Sequence, residues 1–177
     1  MDAPPFPAAA LAAARDAAKA HLRIAGDAED DALRAHAAAA LSLCEAFTGT
    51  SLIVRDWQEV LPADRQWRRL KVAGVTAIGA VTLIEPDGAD LALPAEGYAI
   101  DLDAVGQGWV RVTAPGAARL VRVGFRAGLA ESWEALPAPI AHGVVLLAVH
   151  LFEARALGGA PPAAVAALWR PWRRVRL

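Results

Sequence analysis

Apolar residues recur at helical spacing through the first part of the chain. The alanine-rich residues 8–22 follow Pro7 and predict a first helix. A second helix is predicted to begin at the capping residue Asp27 and to end at Thr48-Gly49. Its apolar stripe has the three-and-four spacing of one helix face and consists of Leu33, Ala37, Ala40, Leu41, Cys44 and Phe47. This pattern predicts a long amphipathic helix.

The pattern changes to alternation between Ser51 and Arg126. Roughly six antiparallel strands are predicted, in the segments SLIVRDWQEVL, QWRRLKV, AVTLIEP, GYAIDL, GWVRVT and RLVRVGF. Val121 and Val123 alternate with polar neighbours, and Tyr98, Ile100 and Leu102 alternate with Ala99 and Asp101. Pro86-Asp87-Gly88 and Gly106-Gln107-Gly108 are predicted turns. One face of the sheet is therefore expected to be buried and the other solvated.

Helical spacing returns in the last part of the chain. Pro137 and Pro139 begin a third helix, predicted to be the most buried, with the stripe Ile140, Val144, Leu147 and Leu151. Gly158-Gly159 is predicted to end it, and Pro161-Pro162 to start a short last helix that runs through Trp169.

These patterns predict an α+β fold, in which N-terminal and C-terminal helices form a helical core with an inserted antiparallel β-sheet. Residues 1–177 are interpreted as a single domain with one hydrophobic core. Its parts are helices at 8–49, a β insertion at 51–126, helices at 137–169 and an extended basic tail at 170–177.

Composition narrows the function classes. The net charge of -1 gives no whole-molecule attraction to nucleic acid or membrane. Cys44 is the only cysteine, so no disulfide forms within the chain and a cytoplasmic origin is the default. The opening residues do not resemble a signal peptide. The uncharged stretch from Ala135 to Phe152 contains two prolines and two histidines, which favours a buried helix over a membrane span.

No catalytic constellation is evident. Ser42, Ser51 and Ser132 lie in no nucleophile elbow, and Cys44 belongs to an apolar helix face. His142, His150 and Glu153 have broadly similar helical positions, but no other helix offers matching ligands, so histidines in a core or an interface are expected. The chain is therefore predicted to be no enzyme and to need no metal or cofactor.

The last residues, WRPWRRVRL, are cationic and aromatic in a nearly neutral protein. Arg170, Arg173, Arg174 and Arg176 surround two tryptophans, and no acid follows Glu153. Arginine and tryptophan are the residues most often found at binding hot spots. Pro171 is expected to break the helix and leave an extended docking segment. Contact with nucleic acid and packing of this segment on its own domain remain alternatives.

Several collinear segments resemble one protein family. They are AKAHLRIAGDAEDDALRAHAAAALSLCEAFTGTSLI, LPAEGYAIDL, VRVGFRAG, LPAPIAHGVVLLAVHLFEAR and LWRPWRRVRL. Together they resemble the head-to-tail connector, or adaptor, proteins of long-tailed bacteriophages, prophages and gene transfer agents. The chain differs from common relatives in having Trp172 where a tyrosine is frequent, and in a short turn from Thr113 to Arg119.

The resemblance implies a structural subunit of the virion neck, made in the bacterial cytoplasm. Such subunits form a ring of about twelve copies under the portal protein, with DNA passing through the lumen without sequence-specific binding. A tail-side connector or stopper protein would bind the other side, and no membrane is involved. The portal contact is carried onto Trp169, Arg170, Pro171, Trp172, Arg173, Arg174, Val175, Arg176 and Leu177.

The sequence leaves two alternatives open. In a ring, the acidic run Glu29, Asp30 and Asp31 would face Arg34 or Arg23 of a neighbour, although such runs more often mark a helix start. The alternative function is that of a small nucleic-acid-binding or DNA-packaging accessory protein.

Overall fold

The computed structural model describes residues 3–154 and 162–174, which contain four α-helices and seven β-strands. The helices are α1 (Ala8–Leu22), α2 (Asp30–Thr48), α3 (Ala138–Glu153) and α4 (Ala163–Trp169). The strands are β1 (Arg55–Pro62), β2 (Arg68–Arg69), β3 (Val75–Ile84), β4 (Asp90–Ala92), β5 (Tyr98–Leu102), β6 (Gly108–Val112) and β7 (Leu120–Ala127). The predicted α+β class is confirmed.

The chain divides into two compact units. The β unit comprises Met1–Pro5 and Val54–Gly128, and the helical unit comprises Phe6–Ile53 and Leu129–Leu177. Each unit has its own cluster of buried apolar side chains. The expectation of one hydrophobic core is therefore wrong, because the β insertion buries enough apolar surface to form a second.

Alanine and leucine stripes bring the helices of the helical unit together. In α1 the buried face is Ala10, Ala14 and Ala18, whose spacing of four places them along one side. The predicted stripe of α2 is confirmed, with Leu33 and Leu41 fully buried. The central stripe of α3 is also confirmed, since Ile140, Val144 and Leu147 are covered. Small alanine side chains allow close approach of these helices.

The helix ends agree with the predictions in part. Gly49 closes α2 in the left-handed conformation (φ 72°), as its position after Thr48 indicates. The predicted start of α2 is wrong. The carbonyl of Asp27 accepts a hydrogen bond from the backbone N–H of Asp30, so Asp27 lies in a turn, and the helix begins only at Asp30. The α3 helix ends at Glu153. Gly158-Gly159, predicted as its terminator, lies outside the described residues.

The β unit contains two antiparallel sheets instead of the single predicted sheet. The larger has the order β1-β7-β3-β4, and the smaller has the order β2-β6-β5. The strand β4 escaped prediction because its residues are all exposed and carry no apolar alternation. Both sheets contribute inward side chains to the same buried cluster, including Val110 from β6 and Val123 from β7.

Alternation along the strands decides which side chains enter that cluster. Val121, Val123 and Phe125 are buried on one side of β7, as predicted. The prediction fails at the end of β5, where Ile100 and Leu102 are 48% and 43% exposed. The last three residues of β5 are all exposed, so neither face of the strand is covered at this end and alternation alone cannot bury its apolar side chains.

Both predicted turns are present. Gly88 and Gly106 have positive φ values of 86° and 74°, which side chains other than glycine rarely adopt. The Asp103 carboxylate accepts bonds from the backbone N–H groups of Val105 and Gln107, at 2.9 and 2.8 Å. The turn between β5 and β6 is thus held by its own side chain.

Candidate docking segment at the C-terminus

Trp169, at the end of α4, is buried in the helical unit with 3% of its surface exposed. Its indole N–H donates to the carbonyl of Ile140 at 3.3 Å, and its ring lies 6.0 Å from that of Phe47. Gly143 provides the necessary space, because a β-carbon there would collide with the indole. Trp169 was predicted to touch a partner, but its burial makes it an anchor for the segment that follows.

The residues after Trp169 form a tight turn, which corrects the prediction of a fully extended tail. Arg170–Trp172 is a 3₁₀ turn, and the backbone N–H of Arg173 donates to the carbonyl of Arg170 at 3.1 Å. Proline is compatible with a first helical turn because its missing N–H would have no partner there. Only at Arg173 does the backbone become extended.

The segment also completes the C-terminal end of α2. The backbone N–H of Arg174 donates to the carbonyl of Thr48 at 2.9 Å. The guanidinium of Arg173 lies 5.7 Å from the centre of the Phe47 ring. Cations suit this end of a helix, where unpaired carbonyls concentrate negative potential, and α2 has no basic residue in its own last turn. Part of the cationic character of the segment therefore serves the fold.

A smaller set of side chains remains available to a partner. Arg170, Pro171, Trp172 and Arg173 are exposed, and we call them the C-terminal surface. Trp172 is 36% exposed. Together with the half-buried Arg174 it borders a depression of about 110 Å³, which is also lined by Thr48 of α2 and Ile140 of α3. The predicted contacts of Val175, Arg176 and Leu177 lie outside the described residues.

The acidic run at the start of α2 is engaged within the chain. Asp30 pairs with Arg15 at 3.1 Å and with Lys19, both from α1. The hydrogen bond from Lys19, aided by the nearby Arg15 charge, lowers the pKa of Asp30 below its ordinary value. Asp31 pairs with Arg34 of the same helix at 3.3 Å. Arg15 and Lys19 are one turn apart on α1, so their side chains lie on the same face of the helix. This spacing is the feature of the sequence that indicates a shared carboxylate partner.

The groups considered for catalysis or metal binding are dispersed. Cys44 is fully covered in the α2 stripe, and burial raises the pKa of its thiol far above neutrality, which opposes thiolate chemistry. Within residues 3–154 and 162–174, no three His, Cys, Asp or Glu side chains cluster as metal ligands. Over the same residues, no helix is long and apolar enough to cross a membrane.

Comparison with known proteins gives matches among solved structures. A chain in the neck of an empty gene transfer agent (GTA) particle, computed with C6 symmetry, is 30% identical with a TM-score of 0.79, and the match covers 100% of this chain and 97% of that one. A chain in the virion of a native GTA particle is 30% identical with a TM-score of 0.77 and coverage of 100% and 96%. A chain in the neck of a native GTA particle, computed with C12 symmetry, is 29% identical with a TM-score of 0.74 and coverage of 100% and 97%.

No protein-family model and no curated protein sequence matches the chain. The solved structures nevertheless match it over its whole length. They define the class as structural proteins of phage-like particles. Within that class, the chain belongs to the head-to-tail connector (adaptor) family.

Proposed function

We propose that this protein is the adaptor subunit of a virion neck, forming a ring of about twelve copies beneath the portal. In this role the ring joins the capsid to a tail-side connector or stopper protein, and DNA passes through its lumen. The function is mechanical and involves no catalysis. Many identical contacts around one axis would hold such a ring even where a single contact is weak.

The C-terminal surface is the proposed contact with the portal. The observation that carries this proposal is the anchoring of a short cationic turn by a buried tryptophan, which positions the exposed residues Arg170 and Trp172 on a packed base. Such preorganisation reduces the conformational entropy lost on binding. Trp172 offers apolar area, and Arg170 offers a guanidinium with no ion pair among the described residues.

The test combines Arg170→Glu with Trp172→Ala. Neither side chain contributes to the buried cluster, so the free energy of unfolding should change little. Capture of the purified portal protein should fall by about tenfold or more, because both substitutions remove hot-spot residue types. The fraction of capsids that carry tails, counted by electron microscopy, should fall with it.

Arg119→Glu is the matched control, since Arg119 is an exposed arginine of the β unit outside the C-terminal surface. It should leave portal capture and tail attachment unchanged. Normal portal capture by the Arg170→Glu, Trp172→Ala variant would refute this assignment of the portal contact.

The rival function is nucleic-acid binding through the same cations. It is weakened by the placement of Arg173 over the Phe47 ring, which uses part of the surface of that cation within the fold. Affinity of the free protein for DNA that persists at physiological salt, and that is lost in the same variant, would favour the rival.

A further inference from the structure

The outward face of the small β2-β6-β5 sheet carries tryptophan and arginine in alternation. In β6, Gly108, Val110 and Val112 point into the core, so Trp109 and Arg111 lie on the other side. Arg69 of β2 is the cross-strand partner of Trp109. Trp67, just before β2, has its ring 4.9 Å from the Arg111 guanidinium. We call Trp67, Arg69, Trp109 and Arg111 the tryptophan–arginine face.

This face has unused binding capacity. Trp67 is 42% exposed, and Arg69 is also exposed. Neither Arg69 nor Arg111 forms an ion pair within the described part of the chain. The guanidinium group of arginine forms two parallel hydrogen bonds with a carboxylate. Burial of an indole ring against apolar groups contributes favourable binding free energy. The face therefore fits a partner that presents carboxylates beside an apolar side chain.

The β3-β4 hairpin of the same unit presents that combination. Glu85 forms no ion pair among the described residues, Asp87 is exposed, and Leu91 is 52% exposed. Backbone hydrogen bonds stabilise the turn. The N–H of Glu85 donates to the carbonyl of Ala89 at 2.9 Å, and the carbonyl of Glu85 accepts from the N–H of Gly88 at 2.8 Å. The Glu85 side chain is not part of these bonds. We call residues 85–91 the acidic hairpin.

We propose that the tryptophan–arginine face of one copy binds the acidic hairpin of the next copy in the ring. The inference rests on the proposed function, because only a ring requires it. A cyclic head-to-tail contact joins two different surfaces of one chain, and these two are complementary in charge and in apolar area. GTA neck structures that contain similar chains were computed with C6 and C12 symmetry. Duplex DNA would use the arginines but leave the indoles uncovered, since its bases are stacked inside.

The first experiment is photo-crosslinking in assembled particles. Trp67→p-benzoylphenylalanine keeps a large aromatic side chain at the centre of the face. Mass spectrometry is expected to find its crosslinks on residues 85–91 of a second copy. Crosslinks to DNA, to a different neck protein or to other residues of this chain would overturn the proposal, as would the absence of crosslinks.

Charge reversal provides the second experiment. Arg69→Glu alone and Glu85→Arg alone should each reduce the yield of that chain-to-chain crosslink by about tenfold or more, because each places like charges together. The combined variant should recover most of the yield, since attraction is restored with opposite sign. Arg119→Glu should have no effect. Failure of the combined variant to recover would count against the pairing.

A crosslinker at a second position distinguishes failure of the proposed ring contact from failure of the proposed portal contact. Trp172→p-benzoylphenylalanine reports on the C-terminal surface alone. Crosslinks from Trp67 to the hairpin, with none from Trp172 to the portal, would support the ring contact and refute the portal contact. The reverse result would refute the ring contact and support the portal contact.

Discussion

Gly143 of α3 leaves the space that the Trp169 side chain of α4 occupies. Gly143 lies on the buried side of α3, and its missing side chain is replaced by the indole of α4. The indole N–H also finds its acceptor on α3, so the tryptophan is buried without an unsatisfied donor. The base of the C-terminal surface depends on this contact.

Gly143→Ala should destabilise the helical unit. The new β-carbon would overlap the Trp169 indole, and insertion of a methyl group into a packed core costs about 1–3 kcal/mol. Urea denaturation of the purified chain measures the change. Gly26→Ala is the control, because a β-carbon there meets no atom within 4 Å. Equal midpoints for the two variants would contradict the packing argument.

At this scale the sequence predicted residue types better than residue roles. The cluster of tryptophan and arginine in the last residues was evident, but periodicity alone did not separate buried Trp169 from half-exposed Trp172. The two differ because Trp169 lies one turn after buried Val165 in α4, whereas Trp172 follows the proline in the 3₁₀ turn.

Contacts at both ends of α2 join this helix to other parts of the helical unit. Asp30, in the first turn of α2, receives both Arg15 and Lys19 of α1, and only 21% of its side chain is exposed. The other end of α2 is completed by the backbone of Arg174. Both ends of this helix are therefore stabilised by residues that are distant along the chain.

Asp30→Asn should lower stability in a pH-dependent manner. The pKa of Asp30 in the folded state lies below its ordinary value of about 3.8, so the ionised carboxylate stabilises the fold. This contribution is present above the unfolded-state pKa and is lost as the pH falls through the lower folded-state pKa. The wild type should exceed the variant in urea midpoint at about pH 7, and the difference should shrink at about pH 2.5.

Asp31→Asn is the control for that experiment, because the Asp31 side chain is 95% exposed and pairs with Arg34 of the same helix. Exposed pairs of this kind contribute little. A midpoint difference for Asp30→Asn that is the same at both pH values would show that the lost carboxylate charge is not the cause.

Considered as a whole, the described chain contains two buried apolar clusters, one in each unit. The helical cluster is built from leucine and alanine stripes, and the β cluster from alternate residues of two sheets. Each contains fully covered leucines, such as Leu41 in α2 and Leu70 between β2 and β3.

Leu41→Ala and Leu70→Ala should each cost about 2–5 kcal/mol of unfolding free energy, because both leave a cavity in a packed core. Chemical denaturation followed by circular dichroism measures both. Leu43→Ala is the exposed control on α2, where the leucine is 48% exposed. A cost for Leu70→Ala as small as that of Leu43→Ala would show that the β unit has no rigid core of its own.

The order of the helices and of every strand except β4 follows from local patterns, as do the α+β class and most buried helix faces, because periodicity and turn residues act over short stretches of chain. The resemblance to adaptor proteins, also present in the sequence, is confirmed by the structural comparisons. The docking role of the C-terminal surface stays a prediction.

Three properties are visible only in the folded chain: how the strands divide between two sheets, which carboxylate pairs with α1, and which tryptophan of the C-terminal segment is buried. These properties depend on residues far apart in the chain, such as Arg15 with Asp30 or Gly143 with Trp169. The tryptophan–arginine face has the same origin, since it exists only where β2 and β6 bring Arg69 beside Trp109. Local patterns cannot encode which distant segment becomes the neighbour, because packing of the folded chain selects it.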